Sequence, residues 1–179
     1  MKTTLDRIDF EIIRLLQKDA RLSNKEIAAH VGLAQSSCLL RIQRLRDNRV
    51  LGGAHADVSP DALGIALQAL VAVRLRQHSR QQVQAFWSHV NGLPEVLAAY
   101  HLTGAHDFLL HVAARDARHL RDFAMDDLAT RKEVEHLETS LIVDFARNPV
   151  FPNYAAPPET SSGAQGEPSA TARKRKGKQ

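Results

Sequence analysis

Residues 23–49, SNKEIAAHVGLAQSSCLLRIQRLRDNR, decide the architecture of the N-terminal part of this chain. Ser23-Asn24-Lys25-Glu26 has the form of a capping box, in which a serine hydroxyl and the glutamate three residues on satisfy each other's orphan amides at a helix start. The helix that begins there carries Ile27, Ala28 and Val31 on one face, and Gly32 supplies the positive φ that ends it and turns the chain. A second helix follows from about Gln35 to Asp47. In it Cys38, Leu39, Ile42 and Leu45 recur at three- and four-residue spacing and form an apolar stripe that must face a core. At roughly 100° per residue the opposite face holds Ser36, Ser37, Leu40, Gln43 and Arg44, with Arg41 on the flank. Small hydroxyls allow close approach, Gln and Arg offer paired hydrogen bonds to purine edges, and Leu40 suits a thymine methyl, so this face fits DNA. Taken alone, the helix reads equally well as a solvated amphipathic surface helix.

Upstream, Thr4-Leu5-Asp6 offers N-cap residues, and Ile8, Ile12, Leu15 and Leu16 repeat as i, i+4, i+7 and i+8, which predicts a first helix ending near Asp19-Ala20. Connections this short force the three helices to share one small core. Downstream, Val50–Val58 reads as a short β-ribbon closed by Ser59-Pro60, that is, a wing.

The 179 residues are 44% hydrophobic, enough for one or two cores. No run reaches membrane-spanning length, and the charged N-terminus MKTTLDRIDFEII does not suit a signal peptide, so a cytoplasmic protein is expected. A single cysteine, Cys38, rules out an internal disulfide, and its place on the apolar stripe marks it as core filler. The net charge of +4 is unevenly spread: residues 1–55 carry ten Lys/Arg against six Asp/Glu, 56–154 nine against twelve, and 155–179 five against two. A basic head, a mildly acidic middle and a basic tail suit a polyanion-binding module joined to one with another task.

The middle reads as β-α-β-β-α-β. Ile65–Leu75 is a strand-length apolar run. Ser79-Arg80-Gln81-Gln82 is another capping box, followed by Val83, Phe86, Trp87 and Val90 at helical spacing. Val96–Leu102 and Phe108–Ala114 are strands flanking a hairpin over Thr103–His106. Asp116 caps a helix carrying Leu120, Phe123, Ala124 and Leu128, and Leu137–Phe145 is a last strand. This is the order of a ferredoxin-like split βαβ unit, and the expected fold class is α+β. The expected domains are a winged helix-turn-helix over 1–60, the ferredoxin-like unit over 61–154 and a disordered basic tail over 155–179, whose composition lacks the apolar residues for a core.

The chain resembles the leucine-responsive regulator/AsnC family of bacterial and archaeal transcription factors, the feast/famine regulators. The resemblance rests on Leu5-Asp6-Arg7-Ile8-Asp9, Asp19-Ala20-Arg21-Leu22-Ser23, Val31-Gly32-Leu33 and Arg41-Ile42-Gln43-Arg44-Leu45, in that order. It continues to about Phe151 through Leu102-Thr103-Gly104-Ala105-His106-Asp107-Phe108, which looks like the family's Gly-x-x-Asp loop, and Val134-Glu135-His136-Leu137-Glu138-Thr139-Ser140, the approach to its last strand. The resemblance implies a DNA-binding transcriptional regulator whose second domain pairs through its sheets into a dimer, with dimers assembling further, often to octamers. Two departures stand out. Ala34 replaces the usual Ser cap of the recognition helix, leaving Gln35, Ser36 or water to cap it. Arg49 stands where members have Gly, so either it or Asn48 must end the helix.

On this reading a dimer presents two recognition helices about one DNA turn apart to a pseudo-palindromic site. Ser36, Ser37, Leu40, Gln43 and Arg44 are base-facing candidates, and Arg41, Arg46, Arg49 and Lys25 phosphate contacts, with an acidic partner on another helix as the competing role for Arg41. The candidate effector site is the loop Thr103–Asp107. Gly104 frees backbone amides for a carboxylate, Asp107 supplies an anion for an α-ammonium, and His106 lies between them, which together suit an amino acid. The resemblance implies a pocket between neighbouring dimers that Thr139 or Ser140 would also reach. The alternative for Asp107 is a solvated hairpin residue or an acceptor of backbone N–H. Nine histidines, including His101, His106 and His111, lack metal-site spacing, so no metal and no cofactor are expected. No catalytic constellation or phosphate loop is present, and an enzyme is not expected. The alternatives are a sequence-tolerant, DNA-wrapping chromosome protein and a tetrapyrrole decarboxylase of the kind the resemblance includes among relatives.

Overall fold

The structure, a computed structural model, describes residues 4–155. Apart from Ala155, the expected basic tail lies outside the described residues. The chain divides into two compact units. Among the described residues, one comprises those up to Ala54 together with 148–155, and the other is His55–Arg147. In the first unit, Phe151 donates its N–H to Gln17 Oε1 at 2.7 Å, which fastens the segment after Asn148 to the first helix.

That unit is three helices: α1 (Arg7–Lys18), α2 (Asn24–Val31) and α3 (Gln35–Asp47). The first two begin with complete capping boxes. Asp6 accepts from the Asp9 amide at 2.9 Å while Asp9 accepts from the Asp6 amide at 3.1 Å, and Ser23 and Glu26 do the same on α2. Gly32 ends α2 at φ 69°. Ile12, Leu15, Ile27, Ala28, Cys38, Ile42 and Leu45 form the core. Cys38 is fully buried and burial pushes its thiol up, as filler requires.

The departures at α3 resolve as follows. Ala34 is the N-cap with no side-chain cap, and neither Gln35 nor Ser36 supplies one. Instead Asn24 Nδ2 donates to the Gln35 carbonyl at 2.8 Å, so the start of α3 is held from α2. At the other end it is Arg49, not Asn48, that adopts the left-handed conformation, with φ 57°. The Val50 amide bonds to Leu45 O at 2.9 Å and the Arg49 amide to Arg46 O at 2.9 Å, the pair of bonds that defines a Schellman ending. These two bonds hold a side chain where glycine is preferred. Arg49→Gly is therefore expected to stabilise this unit by about 1 kcal/mol in thermal unfolding, and an unchanged or lowered melting point would count against stored strain there.

The expected wing is absent as a ribbon. Residues 50–59 contain no strand, and the next element is a 3-10 turn over Pro60–Leu63. A strand needs a ladder partner, and none of the described residues provides one for this segment.

The second unit is β1 (Leu67–Leu75), α4 (Arg80–Val90), β2 (Val96–His101), β3 (Phe108–Ala114), α5 (Ala117–Asp122), which runs directly into π-helical turns over Phe123–Ala129, and β4 (Val134–Leu141). The four strands form one antiparallel sheet in the order β2-β3-β1-β4, the expected ferredoxin-like topology. Alternation places Ala69, Val71, Val73 and Leu75 of β1 with Phe108, Leu110 and Val112 of β3 in the core, beside Phe86, Val90, Leu120, Phe123 and Leu128 from the helices. The last strand starts and ends earlier than its apolar pattern suggests. Its register with β1 begins at Leu75↔Val134, the end of β1, and stops at Ala69↔Leu141, two residues short of the start of β1. The start of β1 is trimmed likewise, because the Ile65 amide bonds to the Pro60 carbonyl at 3.0 Å and closes the 3-10 turn.

Candidate nucleic-acid interface and effector loop

α3 presents Ser36, Ser37, Leu40 and Gln43 outward, with Leu40 67% exposed. None of the three polar side chains is spent on a hydrogen bond among the described residues, and Arg46, Arg49 and Lys25 are also exposed around them. The arginines Arg41 and Arg44 lie differently. Arg41 NH1 donates to Asp6 Oδ2 at 2.7 Å and to Asp9 Oδ1 at 2.9 Å, and Arg44 NH2 donates to Asp9 Oδ2 at 2.6 Å. Both guanidinium groups, expected to contact a base (Arg44) and a phosphate (Arg41), here form a clamp between α3 and the start of α1. Asp9 at its centre is 0% exposed. The competing role weighed for Arg41 is the observed one. Asp9 is the residue the sequence reading missed, although it sits three residues before Ile12 on the apolar side of α1.

This clamp is pH-sensitive. The Asp9 amide, and after it the Arg41 guanidinium, hold the Asp6 carboxyl below its ordinary value. A carboxyl depressed in the folded state contributes stability above its unfolded value, near pH 4, and that contribution is lost as pH falls through the folded value. Unfolding followed against pH should show the helical unit weakening below about pH 4, with a shallower slope in Asp6→Asn; identical slopes would remove Asp6 from the explanation.

The hairpin between β2 and β3 contains Gly104 at φ 127°, with Thr103 exposed beside it. Asp107, expected to receive an ammonium group, is instead turned inward. Its Oδ2 accepts from the Leu75 amide at 2.7 Å, and its Oδ1 lies 2.7 Å from His78 Nδ1. The residue is 8% exposed, which is the N–H acceptor alternative. Asp107→Ala should therefore destabilise this unit by about 1–3 kcal/mol by leaving a buried amide unpaired, while Asp107→Asn, which keeps an acceptor oxygen, should cost clearly less; equal melting points for the two variants would refute this role. His106 is half-buried, its Nε2 3.8 Å from Glu138 and its Nδ1 buried without a hydrogen-bond partner. Thr139 is exposed on β4 opposite Val71, whereas Ser140 pairs with Leu70 and points to the other face of the sheet. Two open hollows of about 320 and 410 Å³ are lined by Arg80, Val83, Gln84, Trp87 and His101 and by residues including Leu70, His111, Ser140 and Phe145. Neither includes Thr103, Gly104, His106 or Asp107.

The comparisons with known proteins agree with this architecture. An AsnC-type helix-turn-helix domain matches residues 5–46, and an Lrp/AsnC ligand binding domain matches 68–147. The transcriptional regulator AldR of Mycolicibacterium smegmatis is 40% identical over 143 residues, covering 80% of this chain and 84% of AldR. The leucine-responsive regulatory protein of Rhizobium meliloti is 33% identical over 143 residues, covering 80% of this chain and 92% of that protein. A Neisseria meningitidis transcriptional regulator, solved as an L-Met complex, superposes with a TM-score of 0.75 at 30% identity over 81% of this chain and 94% of that one. With a matching helix-turn-helix, a matching sensing domain and relatives of this identity over most of its length, the chain belongs to the Lrp/AsnC family of transcriptional regulators.

Proposed function

We propose that the chain binds a pseudo-palindromic DNA site as a dimer or higher homo-oligomer and that a small molecule, an amino acid or a close analogue, modulates that binding. The observation that carries the reading is the outward face of α3. Ser36, Ser37, Leu40 and Gln43 lie on one side of a rigid helix with their hydrogen-bonding capacity unspent. On this reading they meet base edges, Arg46, Arg49 and Lys25 meet phosphates, and Arg41 and Arg44 brace the helix against the start of α1. Pairing through the sheet is supported by its outer face, where Leu70, Ala72, Leu109 and Tyr100 leave apolar surface uncovered in a single chain.

For the effector, the Thr103–His106 backbone, with Gly104 in an extended positive-φ conformation, and Thr139 are the groups left to receive a ligand, since Asp107 is engaged. On this reading a second copy completes the site. The L-Met complex of the Neisseria relative supports an amino acid as the ligand class. The test is binding of the purified full chain to its own upstream region against unrelated DNA of equal length at physiological salt, repeated with each of the twenty amino acids. Preference for the upstream region, shifted by one amino acid or a few, is expected; equal affinity for both DNAs would overturn specific regulation, and indifference to every amino acid would overturn the effector class.

A further inference from the structure

We propose that His111 makes the pairing of two copies through the sheet dependent on pH, because its imidazole must be neutral to be covered; this rests on the sheet-pairing reading above and names its regulation. His111 stands on β3, one of the two inner strands, where the register sets it beside Leu70 of β1 and Ala98 of β2 on the outer face. Its Nε2 lies 2.8 Å from Gln68 Oε1, and the ring of Phe145 meets it edge-on with centroids 6.1 Å apart. Leu70, His111, Ser140 and Phe145 also line the hollow of about 410 Å³. In the single chain His111 is half-buried and Phe145 is 58% exposed, so a partner laid on this patch takes the imidazole fully out of water. A two-fold interface brings the same patch from each copy, and two imidazoles are covered together.

The neutral ring is satisfied where it stands, since the Gln68 amide oxygen accepts from Nε2–H. A proton added at Nδ1 brings a charge that needs water or an anion. Asp144, in the segment after β4, lines the same hollow, yet burial is what acts on the ring and pushes its value down. Along the outer face β1 places Arg74 beyond Ala72, and β2 places Tyr100 beyond Ala98. On β4, across β1 from the histidine, Glu138 and His136 follow Ser140 on that face, and Glu138 has His106 at 3.8 Å. The groups nearest the imidazole are thus Leu70, Ala98, Gln68 and Phe145, none of which holds a cation. Covering by a second copy deepens the burial, and the covered imidazole takes up its proton less readily than the uncovered one. Pairing is therefore at full strength above the value His111 has in the single chain, and is lost progressively as pH falls below it.

The test is the self-association constant of the full chain, from sedimentation equilibrium at about pH 7.5 and about pH 5, both above the range near pH 4 in which the Asp6 clamp weakens. One proton per copy is excluded, so each unit by which covering lowers the histidine value weakens pairing by up to about 100-fold. The dissociation constant should rise by at least about 10-fold at the lower pH, while circular dichroism shows the same fold at both. In His111→Gln, which keeps a neutral hydrogen-bonding side chain, the two constants should agree. In His136→Gln, changed at another histidine of the same face, their ratio should stay that of the parent. Equal constants for the parent, tighter pairing at the lower pH, or an unaltered ratio in His111→Gln would each overturn the proposal. Should His111→Gln not pair at all, the imidazole titration of the parent, followed by NMR below and above its dissociation constant, decides: a lower value in the paired state is expected, and an equal or higher one sinks the idea. Failure of the sheet-pairing reading looks different, because the parent would then stay a single chain at every concentration near neutral pH, which would end both.

Discussion

Asp9→Ala is expected to cost the helical unit about 2–4 kcal/mol and with it most DNA binding at 37 °C. Truncating one partner of a buried ion pair typically costs about 3–5 kcal/mol, and the lower figure allows for solvent at the cations, since Arg41 and Arg44 side chains are 27% and 47% exposed. The change removes three interactions together: the acceptor for the Asp6 amide in the capping box, and the anion between two guanidinium groups. A unit of this size, at the usual 0.05–0.15 kcal/mol per residue, has roughly 3–8 kcal/mol in all, so such a loss leaves a large unfolded fraction. Asp9→Asn separates the contributions. An amide oxygen can still accept from Asp6, while the charge is gone, and an intermediate melting point is expected. Circular dichroism melts of the three chains decide the matter; a shift in Asp9→Ala of less than about 0.5 kcal/mol, the range of an ordinary surface change, would show that the clamp does not hold α3.

Leu40→Glu should do the opposite, leaving stability unchanged while reducing binding to the specific site by at least about 100-fold. Leu40 is 67% exposed and contributes to no core, so its replacement by a good helix former costs the fold little. In a groove lined by phosphates, however, a carboxylate at the centre of the reading face brings a like charge into a desolvated interface, where such juxtapositions cost several kcal/mol. Gln43→Ala should be milder, on the order of 1–3 kcal/mol, as for one lost base contact, and should relax preference at a single base position. Competition binding with the two DNAs reads both effects. If Leu40→Glu retained parental affinity for the upstream region, α3 would not be the reading helix.

Local rules carried far in this chain. The capping box at Ser23, the N-cap at Asp6, the glycine stop at Gly32 and most of the apolar spacing in α1 to α3 were legible, because each depends on residues within one turn of helix; the box expected at Ser79 forms only its Ser79–Gln82 half, and Leu39, expected on the α3 stripe, is 44% exposed. The order of the second unit was legible for the same reason, since alternation in β1 and β3 marks which residues face the helices. The ends of β4 and the missing wing were not. Whether an extended segment becomes a strand depends on a partner ladder elsewhere in the chain, and nothing in Val50–Val58 or Leu137–Phe145 encodes where that ladder stops.

The candidate site divides along the same line. Its outer residues, Ser36, Ser37, Leu40, Gln43, Arg46, Arg49 and Lys25, follow from helix geometry, because a face is exposed once its opposite stripe is buried. The jobs of Arg41, Arg44 and Asp107 do not follow. A long cation or a loop carboxylate reaches several ångströms from its own backbone, and what it meets there is set by residues distant in sequence: Asp6 and Asp9 about 35 positions away for the arginines, Leu75 and His78 about 30 away for the aspartate. By itself the sequence determined the helices, the strand order, the family and the face of α3 that looks outward. Only the tertiary structure decided which charged groups remain for a ligand, because a charge close to a buried partner is drawn to it in preference to water, and that partner is placed by the packing of the whole domain.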